Sequence, residues 1–383
     1  MDEEPKKTAL GKKKLIRIAG SALSFAVLIY IAIALISGHQ TGFFRVFGLF
    51  SGNEPATMSS EYFFDVGRSR VFADLNGSPA SAGTLGIQVL DAWGNETLRD
   101  YFRMSSPMLY SQGNRAISYD IGGSSLRVFN NTEVLVSLET GGAIVSASIN
   151  RNGWFAVCTQ EGAVSKGLVT VYNNAGNVVY RVNLASGYVL SASLTPDNRG
   201  LAILNLTPDG SRVSFYELNS VNVTRVFELP GKLILDMRYM SGGDALLITE
   251  DSVIVVDKNN RSSELYAFEG RSLGGFSLYG DNIALYLLDY SVGYNGCVVS
   301  INEKGNILGE IETYTEIIAV SLGAKHLALL RSDGIMLFDA SLEEIPLADG
   351  SVSSVGATRV LFFDNGRVLA AGDHSAVAFL FDK

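Results

Sequence analysis

Two tyrosines and a carboxylate stand close together in the segment Asp289-Tyr-Ser-Val-Gly-Tyr-Asn-Gly296. Tyrosine combines a large apolar area with a hydroxyl group, and it is therefore enriched where proteins recognise each other. Charged side chains from other loop segments would complement it. We predict a partner-binding rim with six members: Asp289, Tyr290, Tyr294, Glu161, Lys166 and Arg212. The competing interpretation is plain variation in the length of tolerant hairpin loops.

The sequence contains none of the compact motifs that mark common catalytic sites. Gly-x-Ser-x-Gly, Walker, His-Glu-x-x-His and Cys-x-x-Cys patterns are all absent. Two cysteines cannot form a thiolate zinc site, and the three histidines are scattered. His326 is expected at the start of a strand and His374 in a turn. We therefore predict no catalytic residue, no bound metal and no cofactor.

Segments rich in Asp and Asn resemble calcium loops only in composition. Asp257 and Asn259 are followed by Arg261, which places a cation where a calcium loop needs an oxygen ligand. Segments 195–200 and 207–210 combine Asp, Pro and Gly as tight turns do. We predict turns at all three places.

An apolar segment at 18–38 is the first element of the chain. Its 21 residues carry no charge, and at about 1.5 Å per residue they would span roughly 30 Å of hydrocarbon. Basic residues dominate the preceding tail at 1–17, so the positive-inside rule predicts a cytoplasmic N-terminus and an extracytoplasmic remainder. We predict an uncleaved signal-anchor in the cell membrane. Cleavage stays open as an alternative, because small residues such as Ala32 and Ala34 would permit it.

The net charge of −9 argues against a protein that binds nucleic acid, because such a protein needs a basic face to neutralise phosphates. An acidic exterior domain also stays away from anionic lipid headgroups. The propeller itself is therefore not expected to lie against the membrane surface.

Downstream of residue 60, a short alternating run recurs at intervals of about 45 residues, at 143–149, 188–194 and 233–239. Alternation with a period of two predicts strands. Each run is followed by a second apolar run and then by a hairpin with a polar tip, as in Val171–Tyr180. Four strands in 40–45 residues are the signature of a β-propeller blade.

We predict an all-β propeller over 61–383 with eight blades of about four strands, and seven blades as the alternative. The predicted first strands begin at Glu61, Pro107, Ile144, Tyr188, Leu233, Ser272, Glu316 and Thr358. The last unit contains only three strands, and a ring must cover its open edge. Within the juxtamembrane linker 39–60, segment 42–50 either supplies the missing strand or rests at the lipid interface, and both interpretations stay open.

Most links between the second and third strands of a blade are predicted to be short. Four are predicted to be longer: 76–84, 160–166, 207–212 and 289–296. In a propeller these links share one face with the links between blades, and long loops on a rigid scaffold are common binding sites. The rim residues come from the last three of these links.

The two cysteines are predicted in different blades. Cys158 falls in a second strand and Cys297 in a third strand, and both are interpreted as small buried apolar residues too far apart for a disulfide.

The repeat resembles the WD40-like and quinoprotein-like propellers. With the N-terminal anchor, the layout resembles single-pass, membrane-anchored bacterial propellers of unknown function. The Gly-His and Trp-Asp signatures of WD40 blades are absent, and only Trp93 and Trp154 are available for the tryptophan docking of quinoprotein blades. The resemblance therefore implies a propeller fold and transfers no catalytic residue.

We predict a membrane-anchored, extracytoplasmic scaffold or ligand sensor of the cell envelope, without catalysis. Its expected partner is an envelope protein or a surface polymer. One alternative is a quinone-cofactor dehydrogenase or a glycan-active hydrolase at the channel mouth, the hydrolase needing two facing carboxylates. Another is a structural role in which the helix pairs with another membrane protein through a weak face of small residues around Gly20.

Overall fold

A computed structural model describes residues 57–160, 167–290, 293–332, 334–346, 356–363, 366–372 and 376–380. The chain divides after Glu54, and all described residues belong to the unit that begins at Pro55. The predicted tail, the span at 18–38 and segment 42–50 lie outside them. Within the described ranges, no helix has the length and apolarity that crossing a membrane requires.

The described strands form eight four-stranded antiparallel sheets, which confirms the prediction of an eight-bladed propeller. The strand β1 (Thr57–Tyr62) comes first in the chain. Blades 1 to 4 are formed by β2–β5 (Val71–Asp74, Pro79–Gly83, Gly86–Leu90, Glu96–Tyr101), β6–β9 (Pro107–Gln112, Arg115–Asp120, Ser125–Phe129, Val134–Glu139), β10–β13 (Ala143–Ile149, Phe155–Gln160, Gly167–Tyr172, Val178–Leu184) and β14–β17 (Tyr188–Leu194, Gly200–Thr207, Gly210–Glu217, Val223–Pro230).

The remaining blades repeat the same order of consecutive hairpins. Blades 5 to 7 are formed by β18–β21 (Ile234–Tyr239, Ala245–Thr249, Ser252–Val256, Ser262–Ala267), β22–β25 (Ser272–Tyr279, Asn282–Leu288, Gly296–Ile301, Ile307–Thr313) and β26–β29 (Ile317–Leu322, Leu327–Arg331, Gly334–Phe338, Glu344–Ile345). Blade 8 contains β30 (Arg359–Phe363), β31 (Arg367–Ala371) and β32 (Ala376–Leu380), and its fourth strand is β1.

The ring closes because β1 pairs antiparallel with β32, with Tyr62 opposite Ala376. The prediction that Glu61 opens the first blade is therefore wrong, since Glu61 lies in the fourth strand of the last blade. The first strand of blade 1 is β2. The alternating residues around Tyr62 indicate a strand, but no local pattern shows which sheet that strand joins. The other seven predicted first strands are confirmed.

The hydrophobic core lies between neighbouring blades. One cluster joins Ile117 and Leu126 of blade 2 to Ile149 and Phe155 of blade 3, and the other blades pack in the same way. Second and third strands such as β19 and β20 are buried along their whole length. This explains why their sequences are continuously apolar, whereas first and fourth strands alternate.

One turn geometry recurs between the third and fourth strands of five blades. The side-chain Oδ1 of its first residue accepts N–H groups from the residues two and four positions later. The five first residues are Asp91, Asn173, Asp257, Asn302 and Asp339. The residue three positions on has a positive φ in all five turns. The predicted turn at Asp257 is thereby confirmed, and its carboxylate serves the turn itself.

Candidate interaction face

Antiparallel strands place two kinds of connection on opposite sides of the disc. We call one side the loop face: it carries the links between second and third strands, such as 289–295, and the links between blades, such as 314–316. The turn face carries the turns after the first strands, such as 195–199, and the turns after the third strands, such as 257–261. Of the predicted rim, Asp289, Tyr290, Tyr294 and Arg212 lie at the loop face.

The link at 289–295 contains three of the six predicted rim residues. The Asp289 N–H donates to the Asn295 carbonyl over 3.0 Å, which closes the base of the loop. Gly296 makes the tight exit possible, because a Cβ there would lie 1.9 Å from the Leu287 carbonyl oxygen. Tyr290 and Tyr294 project from this base and are 70% and 52% exposed.

Arg271 holds the loop base from the neighbouring link between β21 and β22. Its Nε lies 3.3 Å from Asp289 Oδ1, and a terminal nitrogen lies 3.8 Å from Glu310 Oε1. The same nitrogen is 3.2 Å from the sulfur of Cys297. Burial raises the pKa of the Cys297 thiol to about 11, so this thiol stays protonated near neutral pH.

Tyr314 is a third exposed tyrosine in this region, and it is not among the six predicted rim residues. It lies in the link between β25 and β26, is 69% exposed and donates its hydroxyl proton to Glu312. The hydrogen bond to the Glu312 carboxylate raises the pKa of Tyr314, and the nearby charge of Asp289 acts in the same direction. Tyr314 therefore belongs to the surroundings of the 289–295 link.

Arg212 lies apart from these residues, at the start of β16 in blade 4. Its Nε donates to Glu228 Oε1 over 2.8 Å, so its charge is already paired on its own blade. Glu161 and Lys166 lie outside the described residues. The structure thus brings Asp289, Tyr290 and Tyr294 together in one loop and places Arg212 two blades away.

The prediction of long links between second and third strands is wrong for two of the four segments. Segment 76–84 contains the buried strand β3, whose run of Pro, Ala, Ser and Gly lacks the large apolar residues that usually identify a strand. Segment 207–212 contains only Pro208 and Asp209 between β15 and β16, and Thr207 Oγ1 donates to the Gly210 carbonyl over 3.0 Å across this turn.

More exposed apolar and aromatic side chains lie at the loop face than at the turn face. Those at the loop face are Phe63, Leu85, Tyr101, Ile121, Tyr188, Leu190, Leu233, Leu235, Tyr290, Tyr294, Tyr314 and Ile318. The turns of the opposite face expose Trp93 and Val221, and the strand ends beside those turns expose Val178, Val179, Val223, Ile307 and Leu308. Exposed apolar and aromatic side chains that lie near one another are typical of a protein interaction site.

Leu190, Leu235 and Ile318 occupy the same position in three first strands. In each strand the register shifts across this residue, because a β-bulge leaves it without a direct partner. All three side chains are exposed. Their common position, third in the repeated runs at 188–194, 233–239 and 316–322, is a sequence signal that could have identified them.

A sequence profile described as a family of unknown function (DUF5711) matches residues 56–344. The chain belongs to this family. The match begins one residue before β1 and ends within β29, so the DUF5711 region includes the closing strand and blades 1 to 7. The comparison with curated proteins finds no match.

Solved structures of similar shape are WD40 and related propellers. The C-terminal WD40 domain of Sif2 is 14% identical, with a TM-score of 0.54, over 86% of this chain and 99% of that domain. The β-propeller domain of Cps50 (Swd1) from Myceliophteria thermophila is 12% identical, with a TM-score of 0.51, over 72% of this chain and 96% of that one. At such low identity the likeness shows that this DUF5711 protein has the WD40-like propeller fold.

The surroundings of the exposed tyrosines in this DUF5711 chain are acidic. Asp289, Glu310, Glu312 and Glu316 contribute carboxylates, and Arg271 pairs with the first two. No group of three or more His, Cys, Asp or Glu side chains in the described ranges could hold a metal ion. The chemistry offered here is therefore apolar and aromatic contact combined with attraction for positive charge.

Proposed function

We propose that this protein is a non-catalytic binding scaffold of the cell envelope. In this proposal, segment 18–38 anchors it in the membrane and the propeller lies outside the cytoplasm. The loop face then presents the 289–295 link to another envelope protein. The apolar character of segment 18–38 and the basic tail before it support the anchoring.

The exposed tyrosines of the 289–295 link carry the binding part of the proposal. Tyr290 and Tyr294 stand on a loop whose base is fixed by Arg271 and by the Asp289–Asn295 hydrogen bond. A fixed base lowers the entropy lost when such a loop binds a partner. Aromatic side chains that are mostly exposed yet held at a rigid base are typical anchors of binding energy.

The charge around the tyrosines indicates the kind of partner. Glu312 and Glu316 add negative charge beside the aromatic groups, and the chain as a whole is acidic. A complementary protein surface would combine apolar side chains with Lys or Arg. Salt would then slow its association by screening the attraction.

The membrane topology can be tested with the substitution Tyr290→Cys. Both native cysteines are buried, so the unsubstituted chain provides a low background for thiol labelling. A membrane-impermeant maleimide added to intact cells should label the Tyr290→Cys chain and leave the native chain unlabelled. Labelling only after the membrane is permeabilised would place the propeller in the cytoplasm and reject this topology.

The binding face can be tested by site-specific photocrosslinking in cells. A benzophenone amino acid is placed at Tyr290, at Tyr294 or at Trp93, which is an equally exposed aromatic residue on the turn face. Positions 290 and 294 should yield the same defined protein adduct, and position 93 should not. The same adducts from all three positions, or none from the loop face, would contradict the proposal.

A further inference from the structure

A cavity of about 330 Å³ opens at the turn-face end of the ring of first strands. It is lined by residues from blades 2 to 6, including Tyr110, Ser148, Ser193, Arg238 and Asp281. First strands of neighbouring blades contact each other at seven of the eight blade junctions and so line the centre of the ring, and this cavity is one mouth of the central channel. Its volume suits a small molecule.

A repeated serine is replaced by arginine at this cavity. In blades 2, 3, 4, 6 and 7 a serine of the first strand pairs with an alanine of the second strand; these serines are Ser111, Ser148, Ser193, Ser277 and Ser321. Ser148 shows the structural role of the position, because its Oγ donates to the Ala192 carbonyl of the next blade over 2.7 Å. In blade 5 the same position is Arg238, opposite Leu246.

The guanidinium of Arg238 is only partly satisfied. One terminal nitrogen lies 3.4 Å from Asp236 Oδ2, which is a long contact for an ion pair. The Nε is buried and finds no hydrogen-bond partner among the residues that the structure describes. A buried N–H without a partner is unfavourable, so this arginine carries a cost that a hydrogen-bonded serine at the same position, such as Ser148, does not.

The other polar groups of the cavity favour a negative ligand. The Tyr110 hydroxyl accepts a hydrogen bond from Gln112 over 3.1 Å, which leaves its own proton available to donate. Asp281 contributes one negative charge to the lining, and its two oxygens accept the N–H and the hydroxyl of Ser241. Arg151 adds a second, exposed guanidinium at the cavity edge.

We propose that this cavity binds a small molecule through a carboxylate or phosphate group held by Arg238. The planar fork of a guanidinium matches either oxyanion, and Tyr110 donates a further hydrogen bond. The site is distinct from the loop face, so ligand binding and partner binding can be lost separately.

The test measures binding of defined probes to the full-length chain by calorimetry. Succinate and inorganic phosphate represent the two oxyanions, and succinamide is the neutral match of succinate. At least one oxyanion should bind saturably, and succinamide should not. Absence of saturable binding by both oxyanions, or equal binding of succinate and succinamide, would overturn the proposal.

The substitution Arg238→Ser is the central variant because it restores the residue that five other blades carry. It should weaken oxyanion binding by about tenfold or more, as loss of a charge-assisted contact implies. Arg212→Ser, which also removes an arginine but lies at the other end of its blade, should leave binding unchanged. Equal effects of the two variants would show that net charge alone is responsible.

A second variant keeps the test valid if Arg238→Ser does not fold. Tyr110→Phe removes a single hydroxyl and should weaken oxyanion binding several-fold without changing the thermal midpoint of the free protein. A third variant, Arg238→Lys, completes the comparison. If Tyr110→Phe leaves oxyanion binding unchanged and Arg238→Lys lowers the stability but not the affinity, the arginine has a purely structural role.

Discussion

The backbone of Tyr62 pairs with that of Ala376, although the two residues lie near opposite ends of the described chain. The Tyr62 side chain is buried, and its hydroxyl donates to the Ala92 carbonyl over 2.9 Å. Ala92 belongs to blade 1, whereas the Tyr62 backbone belongs to blade 8. One residue therefore joins the last blade to the first.

Substitutions of Tyr62 should separate the packing and the hydrogen bond at this closure. Tyr62→Phe removes the hydroxyl and should lower the free energy of unfolding by about 1 kcal/mol. Tyr62→Ala also empties a fully buried site and should cost about 3–5 kcal/mol. Urea unfolding of the full-length chain measures both. A cost for Tyr62→Ala no greater than that for Tyr62→Phe would show that the closure does not depend on this packing.

The repeat pattern made most of the fold predictable. Runs such as 143–149 and 188–194 alternate because one side of a first strand packs on the neighbouring blade, and this period is visible in the sequence. The sequence pattern places the closing strand in the wrong blade, because its pairing with β32 is non-local. The same pattern indicates a loop at β3, because the residues of this strand are small.

The candidate site was predictable only in part. Tyr290 and Tyr294 stand out because a long tyrosine-containing link interrupts a regular repeat. The ion pairs of Arg271 could not be predicted, because its partners Asp289, in the 289–295 link, and Glu310, in β25, are brought beside it only by the folded ring. Arg238 could not be identified from the sequence for a different reason. Its replacement of the repeated serine becomes visible only when the first strands of the blades are aligned by their pairing with the second strands.

Replacement by alanine should change the stability of the protein differently at two buried serines. The Ser321 Oγ accepts the Phe362 N–H of the next blade over 3.0 Å, so Ser321→Ala removes a buried hydrogen bond between blades and should cost about 1 kcal/mol. The Ser81 Oγ is buried with no hydrogen-bond partner in the described part of the chain. Ser81→Ala should therefore be neutral or slightly stabilising. Equal losses in the thermal midpoint for both variants would contradict this distinction.

Two turn glycines with similar backbone conformations should differ in their tolerance of alanine. Gly94 and Gly305 have φ values of 84° and 78°, so a Cβ strains both by about 1–2 kcal/mol. At Gly305 the Cβ would also lie 2.5 Å from the Leu265 carbonyl oxygen, whereas at Gly94 its nearest neighbour, the Glu61 carbonyl oxygen, is 3.5 Å away. Gly305→Ala should thus destabilise the protein more than Gly94→Ala. Equal urea midpoints for the two variants would argue against the collision.

His326 should make the stability of the protein depend on pH in a defined direction. It lies just before β27, and its half-buried ring stacks on Phe362 with 6.3 Å between the ring centres. Burial lowers the pKa of the imidazole below its usual 6.5; the charge of Asp339 opposes this and that of Lys325 reinforces it. The folded protein therefore favours neutral histidine, and the unfolded chain takes up the proton at higher pH.

The contribution of neutral His326 is complete above the unfolded-state pKa of about 6.5 and is lost as the pH falls through the lowered folded-state value. The substitution His326→Gln keeps a neutral polar side chain at every pH and should remove this loss. The difference in thermal midpoint between the native chain and His326→Gln should be largest at about pH 7.5 and shrink toward about pH 5. Carboxylates titrate alike in both proteins and cancel in the comparison. A difference that stays constant over this range would show that His326 keeps its ordinary pKa in the folded protein, and that burial against Phe362 does not exclude the charged ring.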